Sequence, residues 1–250
     1  MQVSYASIPT PGRTNEDCVV AGPRWVAVLD GATAPSGVDS GCAHDVPWLV
    51  RHLAAALAKN LTASDGPLPD LLADAISETC AAHAATCDLT NPSSPSATVS
   101  VLRENGTVVE HLVLADSPIV LDIGGDVVAI VDDRLDHLPG YTVDEVRRHR
   151  NAPGGFWVAS TVPEAAHRAL HGTHPTADVR RAAVLTDGAS RYVDRFALAD
   201  WRGLLDLLQR HGPAELLTRV RAAEAIETPD QRRRHRGKPH DDATAALVVW

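Results

Sequence analysis

The chain has 250 residues, 44% of them hydrophobic and 22% charged, with a formal net charge of −9. That is enough apolar material for a sizeable core, and the acidic balance excludes the broad basic footprint of a nucleic-acid binder. No apolar run approaches the roughly 20 residues of a membrane span, and the opening MQVSYASIPTPGR lacks a basic segment followed by an apolar one, so the expectation is one cytoplasmic domain over 1–250 with no membrane partner.

Strands are expected at CVVAG and RWVAVLD, on either side of a turn at Gly22 and Pro23. Val46, Leu49, Val50, Leu53 and Leu57 recur at helical spacing and predict a helix over 43–59. TASDGPLPD breaks the chain, a second helix is expected over 68–87, and LTNPSSPS closes it. Cys80 and Cys87, seven apart, are then expected on one side of that helix as small core residues. With Cys18 and Cys42 they make four cysteines without a CxxC pair, the usage of reduced structural thiols.

ATVSVLRENGTVVEHLVLADS holds two strands around Asn105 and Gly106, a strong hairpin signal, and PIVLDIGGDVVAIVDD repeats the device at Gly124, Gly125 and Asp126. Residues 97–131 are therefore expected to form a four-stranded meander. A polar stretch with a short helix over 143–149 follows, then a small strand at GGFWVAS, a helix at VPEAAHRAL and a strand at VRRAAVLTD. Helices over 200–209 and 213–225, the basic loop TPDQRRRHRGKPH and a strand at ATAALVVW complete the chain. This order lacks the strand–helix alternation of a parallel sheet. It predicts an α+β fold layered helix, sheet, sheet, helix.

Acidic residues gather at the strand ends. Glu16 and Asp17 precede CVV, Asp30 ends WVAVL, Asp116 ends HLVLA, Asp187 ends AAVLT, and Asp241 and Asp242 precede ATAALVVW. One such aspartate alone is ordinarily a turn former or a helix cap, so the set carries the weight. If these strands are neighbours, the carboxylates meet at one edge. Like charges crowded together resist ionisation, and hard divalent cations with oxygen ligands relieve that cost. Gly31, without a Cβ, lets the backbone turn sharply beside Asp30 and bring a carbonyl close to such an ion.

The segments TNEDCVV, VAVLDGA, PSATVSVL, LADSPIVL, VLTDGAS and DDATAALVV stand in the order of the blocks of the protein phosphatase 2C family, and the chain resembles bacterial members over 13–249. These are PPM-type, metal-dependent serine/threonine phosphatases. The resemblance implies a four-layer αββα sandwich, two antiparallel sheets flanked by pairs of helices. It implies two Mg²⁺ or Mn²⁺ ions and a third, weaker one. Asp30 resembles the carboxylate that bridges two ions, Gly31 the carbonyl ligand, and Asp187 and Asp241 further ligands of the catalytic set. Asp116 resembles the ligand of the third ion. Glu16 and Asp17 resemble acids that orient ligands or hold their waters, and Asp242, next to Asp241, stands where many relatives carry Asn and adds a negative charge beside a ligand. Arg13 resembles the arginine that binds the substrate phosphate, and 132–161 the flap-like insertion that shapes substrate choice.

The implied activity is phosphomonoester hydrolysis, a water between two metals attacking phosphorus in line, with a phosphorylated protein as substrate. DGATAPSG departs from the family pattern after the first Asp-Gly, with Ala32 and Thr33 where some relatives place a proton-donating His. That departure leaves room for a small phosphorylated metabolite as substrate, or for a non-catalytic binding module. The intact aspartate set argues against the binding module. His44, just beyond this loop, is expected as a solvated or capping residue. Arg232, Arg233, Arg234, Arg236 and Lys238 precede Asp241 and are expected to gather an anionic substrate.

Overall fold

The computed structural model describes residues 1–34, 37–232 and 238–250. Two five-stranded antiparallel sheets pack face to face. One runs in the order β1 (Gln2–Ile8), β10 (Ala243–Val249), β9 (Val179–Leu185), β6 (Ile119–Ile123), β7 (Asp126–Ile130). The other runs β2 (Cys18–Gly22), β3 (Trp25–Ala32), β4 (Ser96–Asn105), β5 (Val108–Leu114), β8 (Leu170–Pro175). Helices α1 (Val46–Ala63) and α2 (Leu68–His83) cover the second sheet, and α5 (Trp201–His211) and α6 (Pro213–Ile226) the first. Three shorter helices, α3 (Val143–His149), α4 (Asp187–Asp194) and α7 (Pro229–Arg232), complete the set among the described residues.

Strand β3 shows why the sandwich has three apolar layers. Val26 and Val28 point inward and meet Ala182, Val184, Ala246 and Val248 of the opposite sheet. Trp25, Ala27 and Leu29 point outward and pack beneath Leu53, Leu57 and Leu72 of α1 and α2. A strand buried on both faces reads as an unbroken apolar run. The αββα expectation therefore holds, with one pair of helices outside each sheet.

Several local expectations change. The stretch 97–131 is not one meander: β4–β5 is a hairpin in one sheet and β6–β7 a hairpin in the other. The chain crosses between the sheets after β5, where Ala115 takes a left-handed backbone (φ 69°) and its N–H donates to Asp132 Oδ2 at 3.1 Å. Two edge strands, β1 and β8, carry too little apolar alternation to be read from sequence. VPEAAHRAL is a single 3₁₀ stretch, Pro163–Arg168, running into β8, and GGFWVAS makes only isolated bridges. Helix α1 starts at Val46, where the Asp45 carboxylate accepts from Trp48 N at 2.9 Å, and continues to Ala63. Helix α2 ends at His83, so Cys87 lies in the turn beyond it and not on a helix face with Cys80.

Helix α4 begins on Asp187 directly after β9, and Gly188 sits against the backbone leading into β10. A Cβ there would lie 1.9 Å from the carbonyl oxygen of Asp242. Gly188→Ala is expected to destabilise the protein by about 1–3 kcal/mol, the cost of overpacking, read as a lower urea midpoint.

Candidate metal centre

The acidic residues singled out in the sequence come together at one end of the sandwich. Asp30 follows Val26 and Val28 on the inward face of β3. Asp187 opens α4 at the end of β9, Asp241 precedes β10, Asp17 precedes β2, and Asp116 lies on the crossing between the sheets. Antiparallel order makes these ends neighbours, because β2 and β10 start where β3 and β9 finish. Asp30, Gly31, Asp116, Asp187 and Asp241 line one cavity of about 350 Å³.

The electrostatics confirm the crowding. Burial raises the Asp30 carboxyl well above its ordinary range, and the charges of Asp17, Asp187, Asp241 and Asp116 raise it further. Asp17 rises from 3.8 to about 7, chiefly through burial and against hydrogen bonds from Thr244 and Thr186. Asp116 also rises to about 7, through burial and then Asp187. Asp241 is raised by burial and Asp187, with Lys238 and Arg191 opposing. Asp17 Oδ2 accepts from Thr186 Oγ1 at 3.0 Å, while its Oδ1 is buried with no hydrogen-bond partner among the described residues. An orphaned carboxylate oxygen beside three other desolvated acids fits a hard divalent cation. The donor set is all oxygen, as Mg²⁺ or Mn²⁺ requires.

Protein cations answer part of this charge. Arg191, one turn into α4 from Asp187, donates to Asp241 Oδ2 at 2.9 Å and to the fully buried Glu224 at 2.8 Å. Glu224, on α6, also accepts from Arg221 at 2.6 Å and lies 3.0 Å from His240 Nδ1. Lys238 Nζ lies 3.4 Å from Asp241 Oδ1. Burial works against its charge, but Asp241, Glu16 and Asp30 outweigh burial and raise its pKa. Sequence reading missed Arg191 and Glu224. The spacing of Arg191 four residues after Asp187 was a signal only once α4 was known to be a helix.

The remaining predicted residues divide. Asp242 neither faces solvent nor opens onto the cavity: its carboxylate is buried and accepts from Thr10 N at 2.5 Å and Glu16 N at 2.6 Å. Glu16 accepts from Thr33 Oγ1 at 2.6 Å, and its carbonyl accepts from Gly31 N at 3.1 Å. Arg13 is exposed in a separate groove with Glu16, Thr33 and Lys238, outside the carboxylate cavity. His44 stacks on Trp48 with centroids 4.0 Å apart and does not line the cavity. Of the basic run, Arg232 pairs with Glu227 at 3.4 Å, Lys238 lines the cavity, and Arg233, Arg234 and Arg236 lie outside the described residues. The far wall comes from α3 and its flanks, where Arg147 Nε donates to Ser93 Oγ at 2.6 Å and Arg150 to Ser160 Oγ at 2.8 Å.

The raised Asp17 has a pH consequence. With chelator present, the folded chain keeps a proton that the unfolded chain releases between about pH 4 and about pH 7. This carboxyl therefore costs stability progressively as pH rises through that window. Asp17→Asn is expected to raise the urea midpoint of the metal-free protein at about pH 8 and to leave it unchanged at about pH 4.

The family model of protein phosphatase 2C matches residues 14–227. No curated protein matches the chain in sequence. Among solved structures, the Mycobacterium tuberculosis serine/threonine phosphatase PstP/Ppp is 21% identical, with a TM-score of 0.61 over 99% of this chain and 97% of that one. Its catalytic domain, also solved in complex with two manganese ions, is 19% identical, with a TM-score of 0.61 over 99% and 97%. Stp1 from Staphylococcus aureus is 13% identical, with a TM-score of 0.61 over 100% and 94%. At these identities the structures speak for the fold, while the family model spans most of the sequence. The chain belongs to the protein phosphatase 2C family of Mg²⁺- or Mn²⁺-dependent phosphatases.

Proposed function

We propose that the chain hydrolyses phosphoserine or phosphothreonine in proteins, with Asp30, Asp187 and Asp241 holding the divalent ions. Gly31 offers its carbonyl, and Asp116 serves a third ion. The observation that carries this reading is the buried, partnerless Asp17 Oδ1 beside the mutually repelling Asp30, Asp116, Asp187 and Asp241. Bound ions supply Lewis-acid neutralisation of the phosphoryl oxygens and a strong nucleophile at neutral pH.

The chain's own residues do the rest. Thr186 holds Asp17 in place, and Asp242 fixes the backbone of Glu16, which in turn holds Gly31 and Thr33. Arg191 orients Asp241. Lys238, at the cavity mouth, balances the charge of an incoming phosphate, and Arg13 in the adjoining groove contacts the substrate farther out. Thr33 donates its hydroxyl proton to Glu16, so it is not free to protonate a leaving alcohol.

The segment 132–161 acts as a flap. Its Leu135, Tyr141, Val146 and Phe156 give the cavity a largely apolar wall opposite the carboxylates. Such a wall, apolar but with Arg147 and Arg150 within it, suits a peptide body that carries a phosphate. The reading extends to a bacterial, cytoplasmic protein. Its four cysteines are free, the solved neighbours include mycobacterial and staphylococcal proteins, and no described helix is long and apolar enough to cross a membrane.

With Mn²⁺, the protein is expected to hydrolyse p-nitrophenyl phosphate and to stop on chelation. Asp30→Asn and Asp187→Asn should each lower kcat/KM by more than about 100-fold while circular dichroism stays unchanged. Absence of turnover with every divalent ion would overturn the reading. Phosphopeptides should exceed phosphometabolites in kcat/KM. Arg147→Ala should raise KM for a phosphopeptide several-fold and spare kcat.

A further inference from the structure

Cys42, His83 and Cys87 converge outside the carboxylate cavity, and none of the three lines it. Cys42 comes from the loop after β3, His83 from the last residue of α2, and Cys87 from the turn beyond. Cys42 Sγ lies 3.5 Å from His83 Nδ1 and 2.8 Å from Cys87 Sγ, and the three ligand atoms lie within 4.8 Å of one another. A tetrahedral zinc ion with Zn–S of about 2.3 Å and Zn–N of about 2.0 Å sets sulfur and nitrogen about 3.6 Å apart. The sulfur–nitrogen distance already matches. The two sulfurs would part by about 1 Å, within reach of side-chain rotation.

The surroundings of Cys87 favour a charged sulfur, whereas burial and the contact with Cys87 push the Cys42 thiol up to about 11, so a metal would have to displace its proton. Ala43 N–H donates to Cys87 Sγ at 3.3 Å, and Thr86 Oγ1 lies 3.6 Å from the same atom. The Ala43 N–H aimed at Cys87 sulfur stabilises a thiolate and orients it for a metal. His83 is only 2% exposed, and its ring lies against Trp48 with centroids 5.3 Å apart, so its position is fixed by packing.

We propose that Cys42, His83 and Cys87 bind a zinc-type ion that is separate from the phosphatase centre. Thiolate and imidazole ligands select zinc over Mg²⁺ or Mn²⁺, and a water completes the coordination. Each thiol releases its proton to solvent as its sulfur–metal bond forms. The ion ties the loop after β3 to the turn after α2, which already meet through Asp88 N to Gly41 O at 2.7 Å and Asn91 Nδ2 to Asp39 O at 3.3 Å. Both segments continue to the phosphatase cavity, through Val38 on one side and Pro92 and Ser93 on the other.

The test uses the untagged full chain, incubated with zinc chloride, desalted and subjected to elemental analysis. Wild type should retain about one zinc per chain. Cys42→Ser and Cys87→Ser should lose it, with folding checked by circular dichroism, and Asp30→Asn/Asp187→Asn should keep it. Cobalt in place of zinc should give a thiolate-to-cobalt charge-transfer band in wild type, which decides the matter if the cysteine variants fail to fold. Folded wild type without zinc or without that band, or zinc retained by folded cysteine variants, would overturn the site. So would a Cys42–Cys87 disulfide found by peptide mapping in place of bound metal.

Discussion

Repulsion among desolvated carboxylates is the constraint around which this end of the molecule is organised. The same fold shows what a satisfied acid looks like. Asp122 is also buried, and burial alone would raise its pKa, but hydrogen bonds from Arg180 and Arg181 outweigh that and lower it. Among the described residues Asp17, Asp30 and Asp116 have no comparable guanidinium, and their pKa values rise. The difference separates an ion pair that holds a sheet together from a set of acids kept short of positive charge. Among the described residues Arg191 and Lys238 supply part of the missing charge at Asp241.

Asp242 shows how a departure from the family pattern becomes structural. A carboxylate can accept two hydrogen bonds where an amide oxygen beside an NH₂ group offers less. Here both oxygens are used, one by Thr10 N–H and one by Glu16 N–H. The loop before β2 is thereby bound to the start of β10, more than 220 residues away in sequence. Gly31 is bound to that same loop through Glu16 O. The position of the acids thus depends on contacts between the two ends of the sequence.

Much of this was legible in the sequence, and the failures share a cause. Strand β3, the two hairpins and helices α1, α2, α5 and α6 carry periodicity that depends only on neighbours along the chain. The acids were legible because each stands where an apolar run stops. The edge strands β1 and β8 were not, since a strand covered on one side keeps polar residues such as those of LHGTHP. Nor was the switch of sheets at Ala115, because a hairpin signal says nothing about which partner the next strand finds. Arg191, Glu224 and the Cys42–Cys87 contact were hidden for the same reason: each joins segments whose proximity only the folded chain creates.

The lateness of Asp241 bears on how the protein is made. Strand β10 lies between β1 and β9, so among the described strands β1 waits for β10 before it has a partner. Asp30 and Asp116 leave the ribosome long before Asp241 does. Until β10 emerges, the nascent chain therefore carries an incomplete set of acids and an open sheet, a stage at which unpaired edges invite aggregation. The insertion of a single strand between β1 and β9 thus closes the sheet and brings Asp241 to the other acids in one step.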